Sequence, residues 1–214
     1  MKNLSVIEHP LVEHYLTVLR NKDTKKFEFK AALDKISFLL ASFTYASLTT
    51  ENTQVITPLK KSAGKRINNK VVLLPILRAG LGLLNGFIEL YSDATVSHMG
   101  LYRDEESLKP VKYYFKFPAY KDKKNLKVIV IDPMIATGGS VIFTIEYLLS
   151  MGIKDITVVS LLCAPEGITA IEKRFSKIEK KNISIFTCSI DEKLNDKGYI
   201  VPGLGDAGDR LFGT

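Results

Sequence analysis

Lys127-Val-Ile-Val-Ile-Asp132-Pro-Met-Ile-Ala-Thr-Gly-Gly-Ser140 is the stretch from which the fold of this chain can be read. Val128 to Ile131 is a continuous apolar run of β-branched residues. It halts at an acid, a proline and a Thr-Gly-Gly-Ser turn before apolar periodicity resumes. That pattern predicts a buried parallel strand ending in a loop that opens a helix. Glycine lets the backbone of such a loop come close to an anion, and the helix N-terminus aims free N–H groups and its positive dipole end at the same point. A phosphate is the natural occupant; an ordinary structural turn, common in α/β proteins, is the alternative. Thr137 and Ser140 add hydroxyl donors, while Asp132 is better suited to accepting hydrogen bonds from sugar hydroxyls than to touching phosphate. The loop therefore suggests a phosphorylated sugar. It is not a Walker loop, because no lysine follows Gly138 or Gly139.

Upstream, Val71-Val-Leu-Leu-Pro-Ile76 reads as a second buried strand running into Leu77-Arg78-Ala79-Gly80-Leu81-Gly82. An arginine at the carboxyl end of a core strand, just before a glycine turn, lies where α/β sheets bind ligands, and its planar fork suits phosphate; a surface salt bridge is the competing role. Leu83 to Tyr91 is helical in pattern and Thr95 to Leu101 strand-like, ending near Arg103. Pro110 to Tyr120 is aromatic and β-prone and predicts a hairpin or arm beside the site, serving either as a cover that excludes water or as a subunit contact. Downstream, Val141, Ile145, Leu148 and Leu149 give the helix after the loop its buried side. Ile156 to Leu162 is a strand, Ile168 to Phe175 a helix and Ile183 to Cys188 a last strand. This alternation predicts a parallel sheet covered on both faces.

At the start of the chain, Pro10 stands at a first helical position, and Leu11, Val12, Tyr15, Leu16 and Leu19 form one apolar face. Phe29, Leu33, Ile36, Leu40 and Phe43 mark a second helix at alternating steps of four and three. His9, Glu13 and His14 do not match helical zinc spacing and read as surface or capping residues. Thr53 to Pro58 predicts a short strand, and Lys60 to Lys70, with no apolar period, an exposed loop. Near the end, Gly203, Gly205 and Gly208 fit Gly-x-Gly-x-x-Gly by letter, but too few residues follow for a dinucleotide fold. Their expected use is a closing turn or a backbone-lined pocket.

With 214 residues, 46% of them hydrophobic, the chain can bury one substantial core. We expect a single domain over 1–214, with a helical layer at 1–50, a core at 71–190 and a ligand-binding segment at 191–214. Cys163 and Cys188 read as buried thiols of a reducing cytoplasm. No apolar run reaches bilayer length and no signal-peptide core is visible, so a cytoplasmic location is expected. The formal charge of +7 favours polyanionic ligands, but its lysines are scattered, so nucleic acid is not the expected partner.

The wording of four segments resembles the uracil phosphoribosyltransferases. They are Pro75-Ile-Leu-Arg78-Ala-Gly-Leu-Gly82, Tyr102-Arg103-Asp104-Glu-Glu106, Asp132 to Ser140, and Gly198-Tyr-Ile-Val-Pro-Gly-Leu-Gly-Asp-Ala-Gly-Asp209, with Ala164-Pro-Glu-Gly167 as a further match. Related transferases carry two adjacent acids where this chain has Asp132-Pro133, as the uracil enzymes do. The resemblance implies a type I phosphoribosyltransferase fold: a parallel-sheet core flanked by helices, N-terminal helices, a projecting β-hairpin arm and a C-terminal hood over the base. It implies transfer of phosphoribose from 5-phospho-α-D-ribose 1-diphosphate (PRPP) to uracil, giving UMP and diphosphate in pyrimidine salvage.

Carried over residue by residue, it places PRPP on Asp132, Pro133, Met134, Ile135, Ala136, Thr137, Gly138, Gly139 and Ser140, with Arg78 and Arg103 at the diphosphate. Uracil falls to Ile200, Gly205, Asp206 and Ala207. Asp206 also approaches PRPP and, with Arg78 and Arg103, belongs to the catalytic set, as proton acceptor or in a structural or magnesium-bridging role. Mg²⁺ is implied as cofactor, held mainly through PRPP and water, with no protein ligands assigned. A homodimer or higher homo-oligomer is expected, and GTP, which activates part of the family, is a candidate effector. Asp104 departs from the Asn common in the family. A transferase-like regulator that binds RNA with little catalysis is the alternative reading, distinguishable by salt-dependent RNA binding without UMP formation.

Overall fold

The computed structural model describes residues 3–103, 110–176, 179 and 181–214. The central sheet runs in the order β1 (Leu4–Val6), β11 (Ile183–Ile190), β10 (Asp155–Cys163), β8 (Leu126–Ile131), β4 (Lys70–Leu77), β6 (His98–Arg103), β7 (Pro110–Lys116). Every neighbouring pair is parallel except β6 with β7. Two short strands, β5 (Thr95–Val96) and β9 (Met134–Ile135), pair with β4 and β10.

Parallel strands joined by helices are covered on both faces, which explains the unbroken apolar runs. Val71, Leu73, Ile129 and Ile131 point into one cluster, and Val72, Leu74, Val128 and Val130 into another. The first cluster is closed by α1 (Pro10–Arg20), α2 (Lys26–Tyr45), α3 (Leu81–Leu90) and the chain's last helix; the second by α4 (Gly139–Ser150) and α5 (Pro165–Arg174). The two central strands of the reading, and the helices after them, stand where the pattern put them.

Several expectations need correction. Leu11 and Phe43, which the periodicity places on apolar faces, are 48% and 40% exposed, and the buried stripe of α2 runs on to Thr44 instead. His9 caps α1, its Nδ1 accepting from the Leu11 N–H at 3.1 Å. Lys60 to Lys70 is not a loop. Thr50–Ile56 (β2) and Lys61–Ile67 (β3) form a separate antiparallel hairpin, mostly exposed on both sides, so neither strand has a buried face to show as alternation. Of the two forms expected for the aromatic stretch from Pro110, a hairpin or an arm beside the site, the hairpin is the one found. The stretch pairs with β6 as the sheet's last strand, and Phe115 packs edge-on against Tyr147 of α4 at 4.7 Å. The projecting arm is β2–β3. Among the described residues no helix is long and apolar enough to cross a membrane.

Candidate active site

β8 delivers Asp132 to the carboxyl edge of the sheet, and β10 holds the loop that follows. The Asp132 N–H donates to the Val159 carbonyl at 3.1 Å. The Pro133 carbonyl accepts from the Leu161 and Leu162 N–H groups and from the Ser160 hydroxyl, at 2.9, 3.1 and 2.9 Å. The Ala164 N–H reaches Ile135 O at 2.8 Å. Gly138 then turns the chain into α4 with φ +80°, and a Cβ there would stand 2.9 Å from the Gly167 carbonyl oxygen. Ile142 makes the first helical bond of α4, back to Gly138, so the preceding amides are without intrahelical acceptors. Residues 132 and 134–141 line a small open cavity of about 100 Å³.

Asp132 is half-buried, and burial pushes its carboxyl up from 3.8 to about 7, while the Met134 N–H pulls it down. Its charge is therefore sensitive to what enters the cleft. A ligand offering hydroxyl donors, or a cation, draws it to the ionised form.

The turn after β4 lies beside this loop. A Cβ on Gly80 would stand 2.4 Å from the Ile131 carbonyl oxygen, so only glycine allows the two strand ends to meet so closely. The Leu77–Arg78 peptide bond is cis. Arg78 is exposed; its guanidinium lies 5.5 Å from the Phe212 ring centre, and its Nη2 is 3.5 Å from Thr214 Oγ1. Arg103 ends β6 in register with Pro110, whose ring carbon lies 4.0 Å from where a Gly139 Cβ would be. The Arg103 side chain and residues 104–109, Asp104 among them, lie outside the described residues.

The C-terminal segment meets the same turn. Two short strands, β12 (Lys193–Leu194) and β13 (Ile200–Val201), pair antiparallel, and the chain then bends through Pro202–Asp206 into α6 (Ala207–Phe212). Asp206 caps α6, its Oδ1 accepting from the Asp209 N–H at 2.9 Å, so one carboxylate oxygen already has a structural partner. A Cβ on Gly208 would lie 3.9 Å from that of Ala79. Ile200 and Ala207 are buried, while Gly205 and Asp206 are exposed. Loop, Arg78 turn and C-terminal segment are thus contiguous at the carboxyl ends of β8 and β4.

The sequence alone offers no task for Ala164-Pro-Glu-Gly167. It braces both halves of the site: Gly167 lies under the loop, where its own Cβ would be 2.3 Å from the Ala136 oxygen, and the Glu166 carboxylate accepts from the Leu194 N–H at 2.9 Å. Ser160 went unnoticed, because a serine inside an apolar strand carries no local signal.

A mostly parallel sheet flanked by helices, with a glycine loop at its central carboxyl edge and a C-terminal segment beside it, is the type I phosphoribosyltransferase fold. Adenine phosphoribosyltransferase from Trypanosoma brucei, solved with AMP, pyrophosphate and ribose-5-phosphate, shares this fold at TM-score 0.61 and 15% identity, over 96% of this chain and 89% of that one. The chain belongs to the uracil phosphoribosyltransferase family, whose model matches residues 6–214. It is 50% identical to uracil phosphoribosyltransferase of Dictyoglomus turgidum over 210 residues, 98% of each chain. The AQ2163 protein from Aquifex aeolicus is 35% identical, with TM-score 0.88 over 98% of this chain and 97% of that one.

Proposed function

We propose that this protein joins uracil to PRPP, forming UMP and diphosphate in pyrimidine salvage. The observation that carries the reading is the contiguity of the glycine loop, the Arg78 turn and the backbone-rich hood at one edge of the sheet. In this reaction the ribose C1–oxygen bond to diphosphate breaks, the C1–N1 bond to uracil forms, and the N1 proton leaves.

The loop from Asp132 to Ser140 would hold the 5′-phosphate on its backbone amides and hydroxyls, with the Asp132 carboxylate on the ribose hydroxyls. Arg78 and Arg103 would take the charge that develops on the departing diphosphate. Ile200, Gly205, Asp206 and Ala207 would present uracil with main-chain donors and acceptors matching O2, N3–H and O4. Cytosine would set an amine against a donor at one of those points, a mismatch of roughly 1–3 kcal/mol. Holding the base nitrogen in line with C1 supplies much of the remaining rate.

Asp132 is an oxygen donor at the cleft, and carboxylate and diphosphate oxygens are the ligands a hard cation prefers, so the residues present fit Mg²⁺ carried in on PRPP. Among the described residues no group of three or more His, Cys, Asp or Glu forms a cage. When bound, the ion supplies charge neutralisation of the leaving diphosphate.

The reading extends to a single unit over 1–214 in the cytoplasm, with helical layer 1–50, core 71–190 and uracil-binding segment 191–214. A homodimer is supported by Ile56 and Leu59 on the β2–β3 arm, 83% and 95% exposed. GTP activation is to be tested alongside. The comparisons lend no support to the RNA-binding alternative. Incubation with PRPP, Mg²⁺ and uracil should yield UMP; turnover with guanine or orotate and none with uracil would overturn the assignment.

A further inference from the structure

Arg20 and Asp191 are 171 residues apart in sequence and meet in a forked pair at the end of α1. The guanidinium nitrogens stand 2.7 and 2.6 Å from the two carboxylate oxygens. Arg20 Nη1 also donates to the Gly203 carbonyl at 2.9 Å, and the Gly203 N–H donates to Asp191 Oδ2 at 2.9 Å. One residue of the hood is therefore held at both its N–H and its C=O by the two members of one ion pair. Ser189 completes the set, its hydroxyl donating to Asp191 Oδ1 at 2.9 Å. The Asp191 side chain is only 1% exposed. Burial alone would push its carboxyl up, but the Arg20 hydrogen bonds, the Gly203 N–H and Ser189 outweigh that and hold it below the usual range.

The next residue is tied to the same helix end. Arg210 of α6 donates to the Leu204 carbonyl at 3.0 Å and to the Asn21 carbonyl at 2.7 Å, also reaches the Leu19 carbonyl, and lies over the Phe29 ring at 4.4 Å. Gly203 and Leu204 immediately precede Gly205-Asp206-Ala207. Two arginines thus fasten the stem of the hood to the last turn of α1 and the residue after it. A clamp whose only task was to hold the helix to the sheet would have no need to bond both polar groups of a hood glycine.

We propose that Arg20, Asp191 and Arg210 are positioning residues that set the register of the base-binding main chain, so that base affinity and uracil selectivity depend on a clamp that touches neither substrate. The inference rests on the uracil reading of the hood. It predicts a larger effect on the base than on PRPP, because the phosphate loop has its own bonds to β10 and is joined to the hood through the Ala164–Gly167 segment and, at PRPP, Asp206.

The test compares wild type with Arg20→Ala and Asp191→Asn by steady-state kinetics and by amide hydrogen exchange of the folded proteins. In Arg20→Ala, KM for uracil should rise at least tenfold and KM for PRPP by less than twofold. The preference for uracil over cytosine should shrink, and exchange should quicken over residues 199–207 with the 132–140 loop unchanged. Low millimolar guanidinium should restore part of the uracil KM in Arg20→Ala and none in Asp191→Asn. Equal changes in both KM values, unchanged exchange in the hood, or faster exchange with an unaltered uracil KM would each overturn the positioning role. If Arg20→Ala does not fold, Arg20→Lys, which keeps the charge but loses the fork, carries the same comparison. A wild-type protein that makes no UMP removes the uracil assignment, and with it the claim that the clamp serves the base, while the exchange data still report whether the clamp orders the hood.

Discussion

Replacing Asp132 with asparagine isolates what burial does to one carboxyl at the floor of the site. The group titrates at about 7 in the folded chain instead of 3.8, a rise of about three units. At about 1.4 kcal/mol per unit the ceiling is ~4 kcal/mol, and because the residue keeps part of its surface in water, ~1–2 kcal/mol is the realistic share. The sign follows from proton binding. Between pH ~4 and ~7 the folded protein retains a proton that the unfolded chain releases, so this carboxyl lowers stability as pH rises through that window and costs a constant amount above it. Asparagine keeps an oxygen for the Met134 N–H and has no charge to desolvate. Thermal melts without ligand at pH 5, 6, 7 and 8 should therefore show Asp132→Asn gaining on wild type as pH rises, reaching roughly 2–8 °C above pH 7 for a domain of this size. All other titrating groups are shared by the two proteins and cancel in the difference. A melting-temperature difference that is flat with pH, or that favours wild type increasingly toward pH 8, would refute the argument. The functional counterpart runs the other way: if Asp132 holds the ribose as proposed, the ionised form is the better acceptor, so KM for PRPP in wild type should rise as pH falls below 7, and the variant should lose that dependence together with about tenfold in affinity.

Gly138→Ala should cost about 1 kcal/mol or more, since its φ of +80° is strained for a side chain and the new methyl would meet the Gly167 oxygen at 2.9 Å; urea unfolding reads the stability loss, and PRPP binding should weaken with it while uracil binding does not. Arg78→Ala should raise KM for PRPP and lower kcat, worth on the order of 2–3 kcal/mol in kcat/KM from one lost charge-assisted contact. Unchanged PRPP dependence would remove Arg78 from the diphosphate.

What could be read from the sequence was whatever is local and one-sided. The β8 strand and its loop announce themselves because β-branched residues stop at an acid and a glycine pair, and α2 because its apolar residues keep helical step. The β1 strand is not legible because three residues, Leu4–Val6, have no period, and their pairing with Ile185 to Thr187 lies at the far end of the chain. The β2–β3 arm is only half legible because an exposed ribbon has no hidden face to pattern. The site divides in the same way. The loop and the hood are runs of adjacent residues whose turn chemistry is visible, whereas the Arg20–Asp191 pair is two unremarkable charges until the fold joins them.

The Pro133 carbonyl, with its three donors from β10, has a bearing on the energetics of the cradle. Fixing a flexible residue's backbone costs about 1–2 kcal/mol, and a nine-residue loop that ordered only around its ligand would spend most of the attraction of a phosphate on its own stiffening. Here β10 and the residue after it already hold the first part of the loop, at Asp132, Pro133 and Ile135, in the folded chain. On the proposed reading, what a phosphate gains from the amides of α4 would be retained as affinity, not consumed in ordering those residues.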